Sequence, residues 1–160
     1  MNDKFTVNDI LSLAREIETR GSAFYDEAAL ISENDEFRQV LAELAEMERE
    51  HRDFFENLLS KPDSPAHLQK IDDENELSFI RALGAHAVFH KKRTAKEFNT
   101  LVEVFVFALE REKDSILFYE AVKGLIEEDE TRNKITDIIS QEKQHFAVIS
   151  EMLEKHVKSE

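Results

Sequence analysis

Residues 16–61, EIETRGSAFYDEAALISENDEFRQVLAELAEMEREHRDFFENLLSK, and residues 110–155, EREKDSILFYEAVKGLIEEDETRNKITDIISQEKQHFAVISEMLEK, carry one pattern twice, 94 positions apart without a gap. In the first stretch Glu18 is followed by Tyr25, Glu48 and His51; in the second Glu112 is followed by Tyr119, Glu142 and His145. The intervals are 7, 23 and 3 residues in both. A duplicated helical hairpin, with one carboxylate on its first helix and Glu-x-x-His on its second, builds a paired-metal site inside a four-helix bundle. The pattern predicts an all-α chain.

Hydrophobic period supports the helices. Leu11, Ala14, Glu18, Gly21, Tyr25 and Ala28 step by three and four, which places a first long helix over 7–32 with Thr6 and Asp9 as its capping pair. A second, over 35–60, carries Phe37, Leu41, Leu44, Glu48, His51, Phe55 and Leu58, and KPDSP at 61–65 ends it. The third starts at the capping box Thr94-Ala-Lys-Glu97 and carries Leu101, Phe105, Ala108, Glu112, Ser115, Tyr119 and Val122. After a turn near Glu127 to Glu130, the fourth carries Ile135, Ile138, Glu142, His145, Ile149 and Met152. In all four, the polar residues interrupt an apolar stripe near mid-helix.

The connection over 61–93 is long, with one short helix expected near Glu74 to Leu83 and Gly84 as its stop. A second helix of that predicted length is about 39 Å long, so a crossover spanning it lets the third helix run parallel to the second, as in ferritin-like topology. The expected organisation is a single domain over 1–160: hairpin one at 7–60, the crossover at 61–93, and hairpin two at 94–157.

Composition narrows the function. With no cysteine, a disulfide framework, a zinc ribbon and a thiolate iron site are all excluded. A net charge of −14 argues against nucleic-acid binding, which needs a basic surface, and suits a cationic substrate such as Fe²⁺. Excess Glu on solvated faces also serves solubility. The N-terminal stretch MNDKFTVNDILSLAREIE is amphipathic rather than a signal core, and no apolar run reaches membrane-spanning length. A cytoplasmic location without membrane contact is expected.

Taken singly, the site elements say little, because Glu is abundant enough that Glu-x-x-His arises by chance, and a lone His on an apolar face is usually core. Their conjunction decides. The chain has 2 tyrosines, and both stand at the same place in the repeat. Four interior carboxylates repel one another and resist desolvation unless cations join them. Two divalent ions balance the charges of Glu18, Glu48, Glu112 and Glu142, with one imidazole each from His51 and His145. Mixed carboxylate and imidazole donors suit Fe or Mn.

The stretches EIETRGSAFYDEAA, MEREHRDFF, ALEREKDSILFYEAV and QEKQHF resemble the rubrerythrin-related branch of the ferritin-like di-iron carboxylate superfamily, over nearly the whole chain. The resemblance implies a ferritin-like four-helix bundle holding two iron ions, with Mn or Zn as substitutes. It implies Glu18 and Glu112 as terminal ligands, Glu48 and Glu142 as bridging ligands, and His51 and His145 as nitrogen ligands. Tyr25 and Tyr119 match family tyrosines that hydrogen-bond the cluster carboxylates. The activity implied is oxidoreduction of peroxide or O₂, with ferroxidase chemistry on Fe²⁺ or non-catalytic iron binding as alternatives. An external electron-donor protein is implied, because no cysteine is present for a rubredoxin iron site. At position 115 the family pattern has a further Glu; here it is Ser115, which puts a redox-linked ligand exchange in doubt.

Three further features stand outside this pattern. His86 and His90 have helical metal-pair spacing but no obvious carboxylate partner, so surface or packing roles are expected. Glu16 and Glu110 repeat, yet off the interior stripe, as solvated residues do. Phe54, Val104, Val106 and Phe107 lie outside the main stripes and point to a helix-helix interface, consistent with the homodimers common in the family.

Overall fold

The structure is a computed structural model that describes residues 5–61, 72–90 and 93–160, at 89 and 90 the backbone alone. Four long helices occur: α1, Val7–Ile31; α2, Asp35–Leu59; α4, Leu101–Leu125; and α5, Asp129–Ser159. The shorter α3, Glu74–Ala85, belongs to the crossover. No strand occurs among the described residues.

Local chemistry sets the helix ends. The backbone N–H of Asp9 donates to Thr6 Oγ1 at 3.3 Å while the N–H of Thr6 donates to Asp9 Oδ2 at 2.7 Å, a reciprocal cap that starts α1. Ser32 is extended, which stops α1, and its carbonyl accepts from the Arg38 guanidinium at 2.9 Å, tying the turn to α2. Asn34 caps α2 by accepting from the Phe37 N–H at 3.0 Å. Thr100 caps α4, and the Glu128 carboxylate caps α5 by accepting from the N–H groups of Glu130 and Thr131.

Helix directions follow from side-chain pairs. Tyr25 meets Glu112 and Tyr119 meets Glu18, so α1 and α4 are antiparallel. Lys155 reaches Glu36 while Gln141 reaches His51, so α2 and α5 are antiparallel too. Because each hairpin is itself antiparallel, α2 runs parallel to α4. The crossover must therefore travel the bundle length, as its own length predicted.

The interior is layered. One apolar cluster includes Leu11, Ala14, Phe55, Val122 and Ile135; a second includes Ala28, Phe37, Leu41, Phe105 and Ile149. Burying each large side chain contributes about 1.5–3 kcal/mol. Between the clusters lies a layer of buried polar residues. Every stripe residue predicted from the period is buried except Leu101, which is half-buried at the end of α4.

Three expectations need correction. Gly84 does not stop the short helix: no glycine among the described residues has positive φ, and the helix runs on into a π-helical turn at His86–His90. Gly84 is needed for close packing instead, because a Cβ there would lie 2.7 Å from Leu13 Cδ1 and 2.9 Å from Phe118 Cε2. The Thr94–Glu97 capping box exists, but it starts a 3-10 turn at Ala95–Glu97, and α4 starts at its own cap six residues later. The supposed interface strip is not one exposed patch: Val104 is core, Phe54 and Phe107 pack partly buried against the clusters, and Val106 is exposed. Residues 62–65 of the expected helix terminator, like the side chain of His90, lie outside the described residues.

Candidate metal centre

The polar layer consists of Glu18 on α1, Glu48 and His51 on α2, Glu112 on α4, and Glu142 and His145 on α5, all buried. A spacing of three residues puts Glu48 and His51 one helical turn apart on the same face, and likewise Glu142 and His145. The repeat becomes a two-fold pattern of distances. His51 Nδ1 lies 2.9 Å from Glu142 and 3.5 Å from Glu18. His145 Nδ1 lies 3.1 Å from Glu48 and 3.5 Å from Glu112.

The tyrosines cross between hairpins. Tyr25 donates to Glu112 Oε1 and Tyr119 to Glu18 Oε1. Each ring is held by an edge-on neighbour, Phe24 against Tyr25 at 5.6 Å and Phe118 against Tyr119 at 5.5 Å. Thus one oxygen of each α1 and α4 carboxylate is occupied, and the other faces the centre.

Those inward atoms lack partners. Glu18 Oε2, Glu48 Oε1, Glu112 Oε2, Glu142 Oε1 and both histidine Nδ1 atoms are buried without a hydrogen bond. Several approach one another closely, His51 Nδ1 and Glu142 Oε1 to 2.9 Å. Such groups are costly unless a further atom satisfies them. Two sets of ligand atoms lie within 4.8 Å of one another: Glu18, Glu48, His51 and Glu142; and Glu48, Glu112, Glu142 and His145. The sets share Glu48 and Glu142, the arrangement that two adjacent cations with two shared carboxylates require. Six buried atoms, one from each residue, fit a pair of divalent metals, and the oxygen-rich, thiolate-free donor set suits iron.

Electrostatics describe the same frustration. Burial, reinforced by the charge of Glu18, pushes the Glu48 carboxyl up to about 8. Burial and the surrounding glutamates hold Glu142 well above the carboxylate range. For Glu18 burial opposes ionisation, but His51 and Glu48 beside it outweigh that and leave its pKa lowered. Burial disfavours the His51 imidazolium, yet Glu18 and Glu48 raise it to about 9; Glu112 and Glu48 likewise raise His145 to about 10. Burial, with the charges of Glu112 and Glu18, raises Tyr25 and Tyr119 well above the ordinary phenol value, so both stay donors. Without cations, burial and mutual repulsion favour the protonated forms of Glu48 and Glu142, and the neighbouring carboxylates favour the protonated forms of both histidines.

Glu16 and Glu110 sit apart from this layer, paired on the surface with Arg20 at 2.8 Å and Lys113 at 2.7 Å. His86 lies 3.7 Å from Asp114 and is also outside it.

Three residues near the centre carry no signal in the ligand spacing. Arg111 is buried, donates to the Ile17 carbonyl at 3.3 Å and lies 5.7 Å over the Phe24 ring. A charged residue directly before a ligand on a helix is too common to stand out. Gln141 meets His51 Nε2 at 2.6 Å. Gly21 is where a Cβ would fall 2.7 Å from Glu48 Oε2; its place on the interior stripe, amid larger residues, was the available clue.

The chain is similar to known proteins. The rubrerythrin family model matches residues 9–153. A crystal structure from Thermotoga maritima, described as a ferritin-like diiron-carboxylate protein, is 26% identical with a TM-score of 0.72, covering 98% of this chain and 99% of that one. No curated protein matches the chain.

Proposed function

The chain belongs to the rubrerythrin family, and from that premise we propose that it is a di-iron oxidoreductase that reduces peroxide or O₂ with electrons from a separate donor protein. The supporting observation is the set of six unpartnered buried atoms, one from each of Glu18, Glu48, His51, Glu112, Glu142 and His145. In this reading Glu18 and Glu112 are terminal ligands, Glu48 and Glu142 bridge, and His51 and His145 supply nitrogen. When bound, two ferrous ions supply the pair of electrons that peroxide reduction requires.

The chain's own residues do the rest. Four ionised glutamates neutralise two divalent cations, so the loaded centre carries no net charge into a low-dielectric interior. Tyr25 and Tyr119 keep their protons, which fixes the orientation of Glu112 and Glu18. The apolar clusters on either side exclude bulk water.

Peroxide reduction is preferred to ferroxidase-linked iron handling by likeness to rubrerythrins; ferroxidase chemistry or iron sequestration uses the same ligands. A homodimer and a cytoplasmic setting belong to the proposal on the same ground. No helix among the described residues is long and apolar enough to cross a membrane. Stopped-flow mixing of Fe²⁺-loaded protein with peroxide and with O₂ tests the proposal. Rapid oxidation by peroxide, with repeated turnover when reductant is supplied, is expected. Slow, single-turnover oxidation by both would overturn the enzyme reading in favour of iron binding.

A further inference from the structure

The repeat pairs His51 with His145, and the two rings differ in what their second nitrogen meets. His51 presents Nδ1 to the carboxylates, and its Nε2 meets Gln141 Oε1 at 2.6 Å. His145 presents Nδ1 in the same way, but its Nε2 is buried without a partner. The residue 94 positions before Gln141 is Met47, which offers a thioether in place of an amide oxygen.

Gln141 Oε1 can only accept, so Nε2 of His51 must carry the proton, and Nδ1 is the nitrogen left to bind a cation. Nothing comparable among the described residues constrains His145. The surroundings differ as well. A cavity of about 250 Å³, lined by Glu50, His51, Phe54, Lys134, Ile138 and Gln141 together with Asp137, opens beside the first histidine. Gln141 therefore stands between solvent and the His51 ring, where a loose imidazole would otherwise turn outward.

Resting on the reading of the centre as a metal site, we propose that Gln141 is a positioning residue that makes the two metal positions inequivalent. It holds His51 as an Nδ1 donor, so the position served by Glu18 and His51 binds a divalent cation more tightly than the one served by Glu112 and His145.

Co²⁺ titration of the metal-free protein tests this, read by calorimetry and by the paramagnetically shifted imidazole N–H signals of the loaded protein. The natural protein should bind two Co²⁺ in separable steps and show a slowly exchanging N–H from His51. Gln141→Met, which installs the residue of the other half, should weaken the tighter step about 10–100-fold and lose that signal to exchange. Gln141→Glu, which keeps an acceptor, should restore both. Met47→Gln should tighten the weaker step, and this holds as a test even if Gln141→Met folds poorly. Unchanged steps and signals in Gln141→Met, or a Gln141→Glu protein that behaves like it, would overturn the inference. Failure of the natural protein to bind Co²⁺ would instead overturn the underlying reading of the centre.

Discussion

Replacing Gly21 by alanine separates the demands of the metal centre from those of the fold. The added Cβ would stand 2.7 Å from Glu48 Oε2, 3.2 Å from Glu48 Cδ and 3.4 Å from Arg111 Nη2. Ordinary contact begins near 3.4 Å, so the carboxylate must retreat by about 0.7 Å. Metal–ligand distances tolerate only about 0.2 Å, so a bridging carboxylate displaced that far loses its place between two cations. The expected loss in affinity is about 10–100-fold, or roughly 1.4–2.7 kcal/mol. The metal-free fold should respond in the opposite direction. There Glu48 is protonated and unligated, so it can swing aside, while alanine in a helix interior gains about 0.5–1 kcal/mol over glycine. Thermal unfolding of the metal-free protein, paired with calorimetric Fe²⁺ or Co²⁺ titration, reads both. A higher or equal melting temperature with weakened binding is predicted. Ser115 occupies the same place in the other hairpin and already houses a Cβ, so Ser115→Gly should leave binding unchanged. Undiminished metal affinity in Gly21→Ala would refute the placement of Glu48 at the bridge.

Other outcomes follow from the same geometry. Glu48, His51 and His145 bind protons more tightly in the fold than in the unfolded chain. Their stabilisation of the metal-free protein is fully present below their unfolded values and is lost as pH rises through about 8, 9 and 10. Thermal midpoints measured from pH 6 to 10 should therefore fall for the metal-free protein and hold for the loaded one. Metal binding at pH 7 should release protons from Glu48, Glu142, His51 and His145, which calorimetry in buffers of different ionisation enthalpy would count. Tyr25→Phe should cost about 1–2 kcal/mol of metal affinity by freeing Glu112, with little change in helix content by circular dichroism. Gly84→Ala should destabilise the fold by about 1–3 kcal/mol in urea titration, because Leu13 and the buried Phe118 ring block its Cβ.

Much of this architecture is legible from residue order because the physics is periodic. A buried helix face must repeat at three and four residues, so Glu18, Glu48, Glu112 and Glu142 announce themselves by breaking an otherwise apolar stripe. The duplication then doubles every signal. Features set by packing between distant segments stay hidden. Gly84 reads as a helix stop because glycine often is one, but here the approach of Leu13 and Phe118 decides. Thr94 reads as the start of a long helix because its capping box is real; only the extended backbone at Phe98 shows that the turn ends at once. Gln141 sits beside a ligand on a different face, and its bond to His51 spans 90 positions.

The proposed centre needs six side chains from two matching hairpins to hold a pair of cations. Anomalous diffraction at the iron edge from protein produced under iron-replete conditions tests it most directly. Two neighbouring iron peaks per chain are expected, one reached by Glu18 and His51 and the other by Glu112 and His145, with Glu48 and Glu142 between them. Both peaks should vanish in the Glu48→Ala, Glu142→Ala protein. An empty polar layer in the natural protein, or iron bound elsewhere and indifferent to those substitutions, would contradict it.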